Sequence, residues 1–252
     1  MKKQQDVLNK KLLGTIVLII VTLAAVLGVV IYVLDYYPAD GNTDYISDGP
    51  YGVSEINFGD GTIVFEPNIF SEYGVIFYPK SKMEAKAYYP LMRSLAARGV
   101  VCMAAEAPAK MAALGKNEAY GMNMRYPEIK KWYIGGHGDS AKTAAAFAAE
   151  NNDFITGVIL LGGYTSTDLN GTGLKAVSVY GSKDGILNMK AYEKNKAKLP
   201  ADSKEYVIEG GCHTYFAACS LLNGDETPDI TFEQQIDAAA YYICNGMKEE
   251  QE

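Results

Sequence analysis

The sequence predicts an α/β chain: a mostly parallel sheet with helices on both faces, preceded by one N-terminal transmembrane helix. Three observations carry that prediction. Apolar runs such as Gly74-Val75-Ile76-Phe77 and Val158-Ile159-Leu160-Leu161 are continuous rather than alternating, as expected of strands buried on both faces. Helical stretches separate those runs, the order of a layered sheet. The stretch Trp132 to Ala149, WYIGGHGDSAKTAAAFAA, then joins a short strand, a glycine-rich turn and an alanine-rich helix without a spacer.

Taken from the start, residues 12–34 carry no charge and are long enough to cross a bilayer with some tilt. Lys2, Lys3, Lys10 and Lys11 precede the run against a single Asp6, and Asp35, Asp40 and Asp44 follow it. The positive-inside rule places residues 1–11 in the cytoplasm and the remainder outside, in a single pass. A cleaved signal peptide would have a shorter apolar region ending in a small-x-small site, and Val33-Leu34-Asp35-Tyr36-Tyr37 offers none. Residues 35–50, polar and without periodicity, read as a linker. The domain of residues 51–246 opens with two strands, Tyr51–Phe58 and Thr62–Glu66, around the hairpin signal Gly59-Asp60-Gly61. Strands then follow at Tyr73–Tyr78, Val100–Ala105, Trp132–Ile134, Thr156–Leu161, Ala176–Tyr180 and Glu205–Ile208. Helices are expected at Ala85–Arg98, near Lys110–Arg125, after the central turn, at Met189–Lys198 and at Phe232–Cys244, leaving 247–252 as a tail.

Composition narrows the function. The N-terminal eleven residues carry +3, so a chain whose total is −7 leaves −10 outside the membrane. That balance argues against nucleic acid or anionic lipid as a partner. Cys102, Cys212, Cys219 and Cys244 show neither CxxC nor metal-ligand spacing, so the expected chemistry uses no metal and no cofactor. Cys212 and Cys219 are the one pair to consider for a disulfide.

In a doubly covered parallel sheet, sites lie beyond the carboxyl ends of the strands. The central turn is where a nucleophile would sit, on a strained apex flanked two residues either way by small side chains. Ser140 at the apex leaves Lys142 where a small residue belongs. Gly138 at the apex has the small flanks Gly136 and Ser140, but no nucleophile. Of two histidines, His213 follows a strand through Glu209-Gly210-Gly211-Cys212 and suits a mobile base, whereas His137 lies within the turn. Asp184, after the Ala176–Tyr180 strand, can orient that base. Ser140, Asp184 and His213 thus follow three different strands in the chain order of one known catalytic triad. Lys80 and Ser81, after the Tyr73–Tyr78 strand, together with the residue following the apex, Asp139 for Gly138, would stabilise an oxyanion.

The chain from about Ser54 to Cys244 resembles the dienelactone-hydrolase-like α/β-hydrolases known as α/β-hydrolase fold 5. The resemblance rests on GVIFYP (74–79), AYYPL (87–91), RYPEIKKWYIGGH (125–137), VYGSKDG (179–185) and IEGGCH (208–213), with NGD (223–225) and EQQ (233–235). It implies an α/β-hydrolase fold and a serine-type, carboxylesterase-like acyl hydrolase acting on a small-molecule ester or related acyl bond. The family's aspartate falls on Asp184 and its histidine on His213, while its serine falls, without a gap, on Gly138. Two functions are therefore expected: an acyl hydrolase using Ser140, Asp184 and His213, or a cell-surface binding domain on a hydrolase fold that no longer turns over.

Overall fold

A computed structural model of the chain describes residues 2–45, 47–59 and 61–248, and divides it into two compact units, Met1–Tyr36 and Tyr37–Glu252. The first is one helix, α1 (Lys2–Leu34). Its stretch Asn9–Leu34 contains an 18-residue run with a mean hydropathy of 3.1 and is long and apolar enough to cross a membrane. At ~1.5 Å per residue it exceeds the ~30 Å hydrocarbon core of a bilayer.

The second unit holds an eight-stranded sheet: β1 (Val53–Asn57), β2 (Ile63–Pro67), β3 (Tyr73–Tyr78), β4 (Val100–Ala104), β5 (Lys131–His137), β6 (Ile155–Leu161), β7 (Lys175–Gly181) and β8 (Lys204–Ile208). The strand order is β1-β2-β4-β3-β5-β6-β7-β8. The β1–β2 and β2–β4 pairings are antiparallel and all others parallel. This is the mixed sheet of an α/β-hydrolase fold, with β5 at its centre. β1, on the edge, is largely exposed, whereas β6 is buried almost throughout.

Helices α2 (Tyr89–Ala96) and α5 (Phe232–Met247) cover one face, where Leu91, Leu95, Ile236 and Ile243 pack with Val75, Phe77 and Val177. Helix α3 (Ser140–Glu150) covers the other with Ala141, Ala144, Ala145 and Phe147, against Ile76, Ile134 and Val158. The alanines let α3 lie close to the strands, and each is fully buried. Helix α4 is Met189–Lys196.

The structure departs from the sequence reading in three places. Residues 37–45, expected as part of a linker, are bonded to the rest of their unit: Tyr37 N–H donates to Lys82 O (2.7 Å), Asp40 N–H to Ala218 O (2.9 Å) and the Tyr45 hydroxyl to Asp237 (2.8 Å). An aperiodic segment can still be held, one bond at a time, by its neighbours. Only short 3₁₀ turns form in Lys110–Arg125, where Gly115 and the left-handed Gly121 (φ +78°) interrupt a helix. The helix expected from Ala85 begins as a 3₁₀ turn and becomes α-helical only at Tyr89, because Pro90 fits only the first α turn. All four cysteines are buried free thiols, so Cys212 and Cys219 are not bridged. Asp60 of the hairpin signal lies outside the described residues.

Candidate active site

The parallel register brings the carboxyl ends of β3, β5 and β6 level, pairing Tyr78 with Gly136 and His137 with Leu161. Gly138 N–H prolongs the ladder by donating to Leu161 O (2.9 Å). The chain then turns sharply into α3.

Gly138 occupies the apex of that turn at φ +57°, a left-handed conformation that costs glycine little and other residues more. A Cβ built there would lie 3.2 Å from His213 Nε2 and 3.2 Å from Lys80 Nζ. The apex is thus the point toward which the base and one ammonium converge. Ser140 is the first residue of α3, fully buried, and its hydroxyl donates to Pro79 O (2.5 Å), tying the start of the helix to the end of β3.

The acid–base pair comes from the two neighbouring strand ends. Beyond β7, Asp184 Oδ1 accepts the N–H groups of Ile186 (3.0 Å) and Leu187 (2.7 Å), which fixes the carboxylate. Beyond β8, His213 Nδ1 lies 2.9 Å from Asp184 Oδ2 and 3.0 Å from Oδ1. Both side chains are 1% exposed. Because the carboxylate accepts, Nδ1 carries the hydrogen and Nε2 is the basic nitrogen. That Nε2 is buried and has no hydrogen-bond partner among the described residues.

Two side chains hold the histidine loop. Asp225 accepts the N–H groups of Gly185 (3.0 Å), His213 (3.2 Å) and Thr214 (2.7 Å) and the Thr214 hydroxyl (2.6 Å). Burial works to raise its carboxyl pKa, but those hydrogen bonds outweigh it and hold the group below the usual carboxylate range. Gln235, on α5, clamps the Cys212 backbone, accepting its N–H (2.9 Å) and donating to its carbonyl (2.6 Å). Gln234 and Thr231 form a capping box that starts α5 at this register.

The β3 loop is arranged differently. The N–H of Lys80 donates to the Tyr88 hydroxyl (3.1 Å), and that of Ser81 to Asp139 Oδ1 (3.1 Å). Both backbone donors that could polarise a carbonyl oxygen are therefore taken internally. What reaches the apex is the Lys80 ammonium, 3.8 Å from Asp139. Asp139 itself follows the apex, so its N–H stands at the N-terminus of α3.

His137 is the last residue of β5 rather than part of the turn. It is fully buried, its Nδ1 is 2.8 Å from the Tyr88 hydroxyl, and its ring lies 4.3 Å from that of His213. Burial, with His213 and Lys80 close by, pushes its pKa well below the ordinary histidine value, so it stays neutral. Sequence reasoning gave no role to Tyr88, His137, Asp225 or Gln235. Asp225 and Gln235 stand in the NGD and EQQ phrases, the signal that could have found them. Tyr88 and His137 stand in such phrases too, AYYPL and RYPEIKKWYIGGH, but nothing in the sequence links two residues 49 positions apart.

Solved structures share this architecture at low identity. A thermostable esterase from Pseudomonas putida aligns over 84% of this chain and 86% of its own, at a TM-score of 0.55 and 13% identity. Est1E from Butyrivibrio proteoclasticus aligns over 79% and 100%, at 0.53 and 12%. A protein described as a predicted CIB-like hydrolase from Thermoplasma acidophilum aligns over 77% and 98%, at 0.52 and 13%. These likenesses establish the fold. A comparison with curated proteins returned no match. The family model described as the alpha/beta hydrolase family matches residues 74–237, which span β3 to α5 and hold every residue of the site, and the chain belongs to that family.

Proposed function

We propose that the chain is a membrane-anchored, extracytoplasmic acyl hydrolase that cleaves a small-molecule ester or related acyl bond, with water rather than serine as the attacking group. His213 is the base and Asp184 holds its tautomer. The observation that carries this reading is the buried Nε2 of His213, unpartnered among the described residues and 3.2 Å from the apex position. Nε2 takes a proton from a water at the apex as the water oxygen bonds to the acyl carbon. It then returns that proton to the leaving oxygen as the old carbon–oxygen bond breaks. The Lys80 ammonium and the Asp139 N–H face the developing oxyanion, in place of the loop N–H groups that bind Tyr88 and Asp139. The hydroxyl of Ser140, committed to Pro79, helps to shape the turn. The lysines before the apolar helix favour a cytoplasmic N-terminus and an outward-facing hydrolase unit.

A second reading, ligand binding without turnover, is favoured by one observation. Neither N–H of Lys80 or Ser81 is available to an oxyanion.

The test uses the full chain in detergent, assayed on nitrophenyl esters and treated with a fluorophosphonate probe. Slow turnover is expected, reduced by about 10²–10⁴-fold in His213→Ala, with no covalent labelling. Labelling at Ser140 would restore the serine as nucleophile. No turnover by the wild-type chain on any acyl length would leave the binding reading.

A further inference from the structure

We propose that the apex of the turn is a carboxylate-binding site, which takes the carboxylate group of a small organic acid. Three groups from separate elements converge on it, two of them donors as they stand and the third, His213 Nε2, a donor once it takes a proton. The Lys80 ammonium and His213 Nε2 each lie 3.2 Å from where a Gly138 side chain would begin. The third is the N-terminus of the 11-residue helix α3: Ala141 N–H is bonded to Gly138 O, so the N–H groups of Asp139 and Ser140 precede the first turn's own acceptors. The independent pointer to a ligand is His213, 1% exposed, with Nε2 unpartnered among the described residues and aimed at this position. Gly138 itself is partly exposed, but Nε2 is closed off from water, so a ligand enters as the flexible end of the Lys80 side chain moves aside.

Charge selects the ligand. Lys80 is the cation at the apex, within a hydrolase unit rich in acidic residues. Its ammonium is 3.8 Å from Asp139, outside hydrogen-bond distance, and that carboxylate is half exposed and already accepts from Ser81 N–H. The charged and titratable groups around His213 are Lys80, Asp139, Asp184, Asp225, the neutral His137 and Tyr88. With one cation and the carboxylates of Asp139 and Asp184 nearest, the site accommodates an added negative charge when His213 is protonated. A carboxylate then arrives with one proton, which goes to Nε2, and charge balance is kept. A phosphate dianion brings a second charge with no second cation to meet it. A planar carboxylate also presents two acceptors to two donors placed symmetrically about one point. A hydrolysed acyl group leaves as a carboxylate, so the site suits the acid product of the proposed reaction, but binding requires no turnover and holds if the chain hydrolyses nothing.

Acetate and inorganic phosphate are the probes, titrated into the full chain in detergent by calorimetry and followed by the ring ¹⁵N signals of His213. Acetate is expected to bind saturably, to take up a proton from buffer and to shift the Nε2 signal. Lys80→Met should weaken it roughly tenfold or more, and Lys80→Arg should retain most of the affinity. Gly138→Ala, whose Cβ would fill the position, should abolish binding. If that variant misfolds by its melting curve, the Lys80 pair decides. Acetate that fails to saturate, affinity indifferent to Lys80→Met, or phosphate bound more tightly at the same resonance would each overturn the proposal. Turnover without acetate binding would sink this inference and leave the hydrolase reading standing.

Discussion

The two halves of the candidate site are built to different standards. Around His213, the loop is fixed largely by side chains that bond its backbone. Asp184 binds the imidazole and the Ile186 and Leu187 N–H groups, Asp225 gathers five donors, and Gln235 clamps Cys212 from α5. Across the apex, the β3 loop is equally well satisfied, but with itself. Tyr88 and Asp139 take the N–H groups of Lys80 and Ser81, and Pro79 O takes the hydroxyl of Ser140. Hydrogen-bond completeness is therefore not what separates a working from an altered half-site. The difference lies in where unsatisfied capacity is left. On one side it is His213 Nε2, unpartnered among the described residues and aimed at the apex; on the other, what reaches the same point is a lysine ammonium already 3.8 Å from Asp139. The halves come from different strand ends, so one can change while the other keeps its geometry.

The sharpest way to break this comparison is to supply the missing group. Gly138→Ser places a Cβ 3.2 Å from His213 Nε2, with the flexible end of Lys80 as its other near neighbour. If the His213 half is competent, ester hydrolysis should rise by on the order of 10²-fold and a fluorophosphonate should label residue 138. The left-handed backbone should charge serine ~1–3 kcal/mol in stability, read as a lower denaturation midpoint. A folded variant with no gain and no label would show that the intact half is intact only in appearance.

A smaller effect probes the support of that half. Gln235→Ala leaves both the N–H and the carbonyl of buried Cys212 unpartnered, a cost of about 1–3 kcal/mol by urea denaturation. The His213 ring signal should broaden as its loop loosens. A variant as stable as wild type would remove Gln235 from the argument.

The smallest effect sharpens the boundary between the halves, where His137 touches both Tyr88 and the His213 ring. Its folded pKa is depressed by burial, so below the unfolded value of ~6.5 the unfolded chain takes up a proton that the folded chain refuses. Stability should fall with pH in that range by up to about 1.4 kcal/mol per pH unit. The slope should flatten in His137→Asn, which keeps a group able to bond Tyr88. An unchanged slope would place the titration elsewhere.

Some of this was decided by sequence alone. An uncharged run of helix length needs no partner to be apolar, and residues 12–34 are such a run, within the helix Lys2–Leu34. Continuous apolar segments divided by helices sufficed for the parallel sheet, because burial on both faces leaves that signature within each strand. The pairing of Asp184 with His213 could be anticipated because both follow strands in the order a known triad requires, and the two side chains do meet at 2.9 Å. Tertiary structure decided the rest. On the turn, the small flanks Gly136 and Ser140 and the tolerance of glycine for a strained backbone favoured Gly138 over Ser140 as the apex, and the packing that holds it there is tertiary: Gly136 against the backbone of Ser140, Leu161 O against Gly138 N–H, and Pro79 O against the Ser140 hydroxyl. Lys80 was legible as an oxyanion candidate from its place after the Tyr73–Tyr78 strand, but not that its N–H is taken by Tyr88; the role of Tyr88 was beyond reach, since a side chain meeting a backbone donor, or a residue 49 positions away, leaves no periodic trace. Residues 37–45 show no periodicity, and single bonds to Lys82, Glu84, Arg93, Ala218 and Asp237 hold them, partners that only the folded chain brings together.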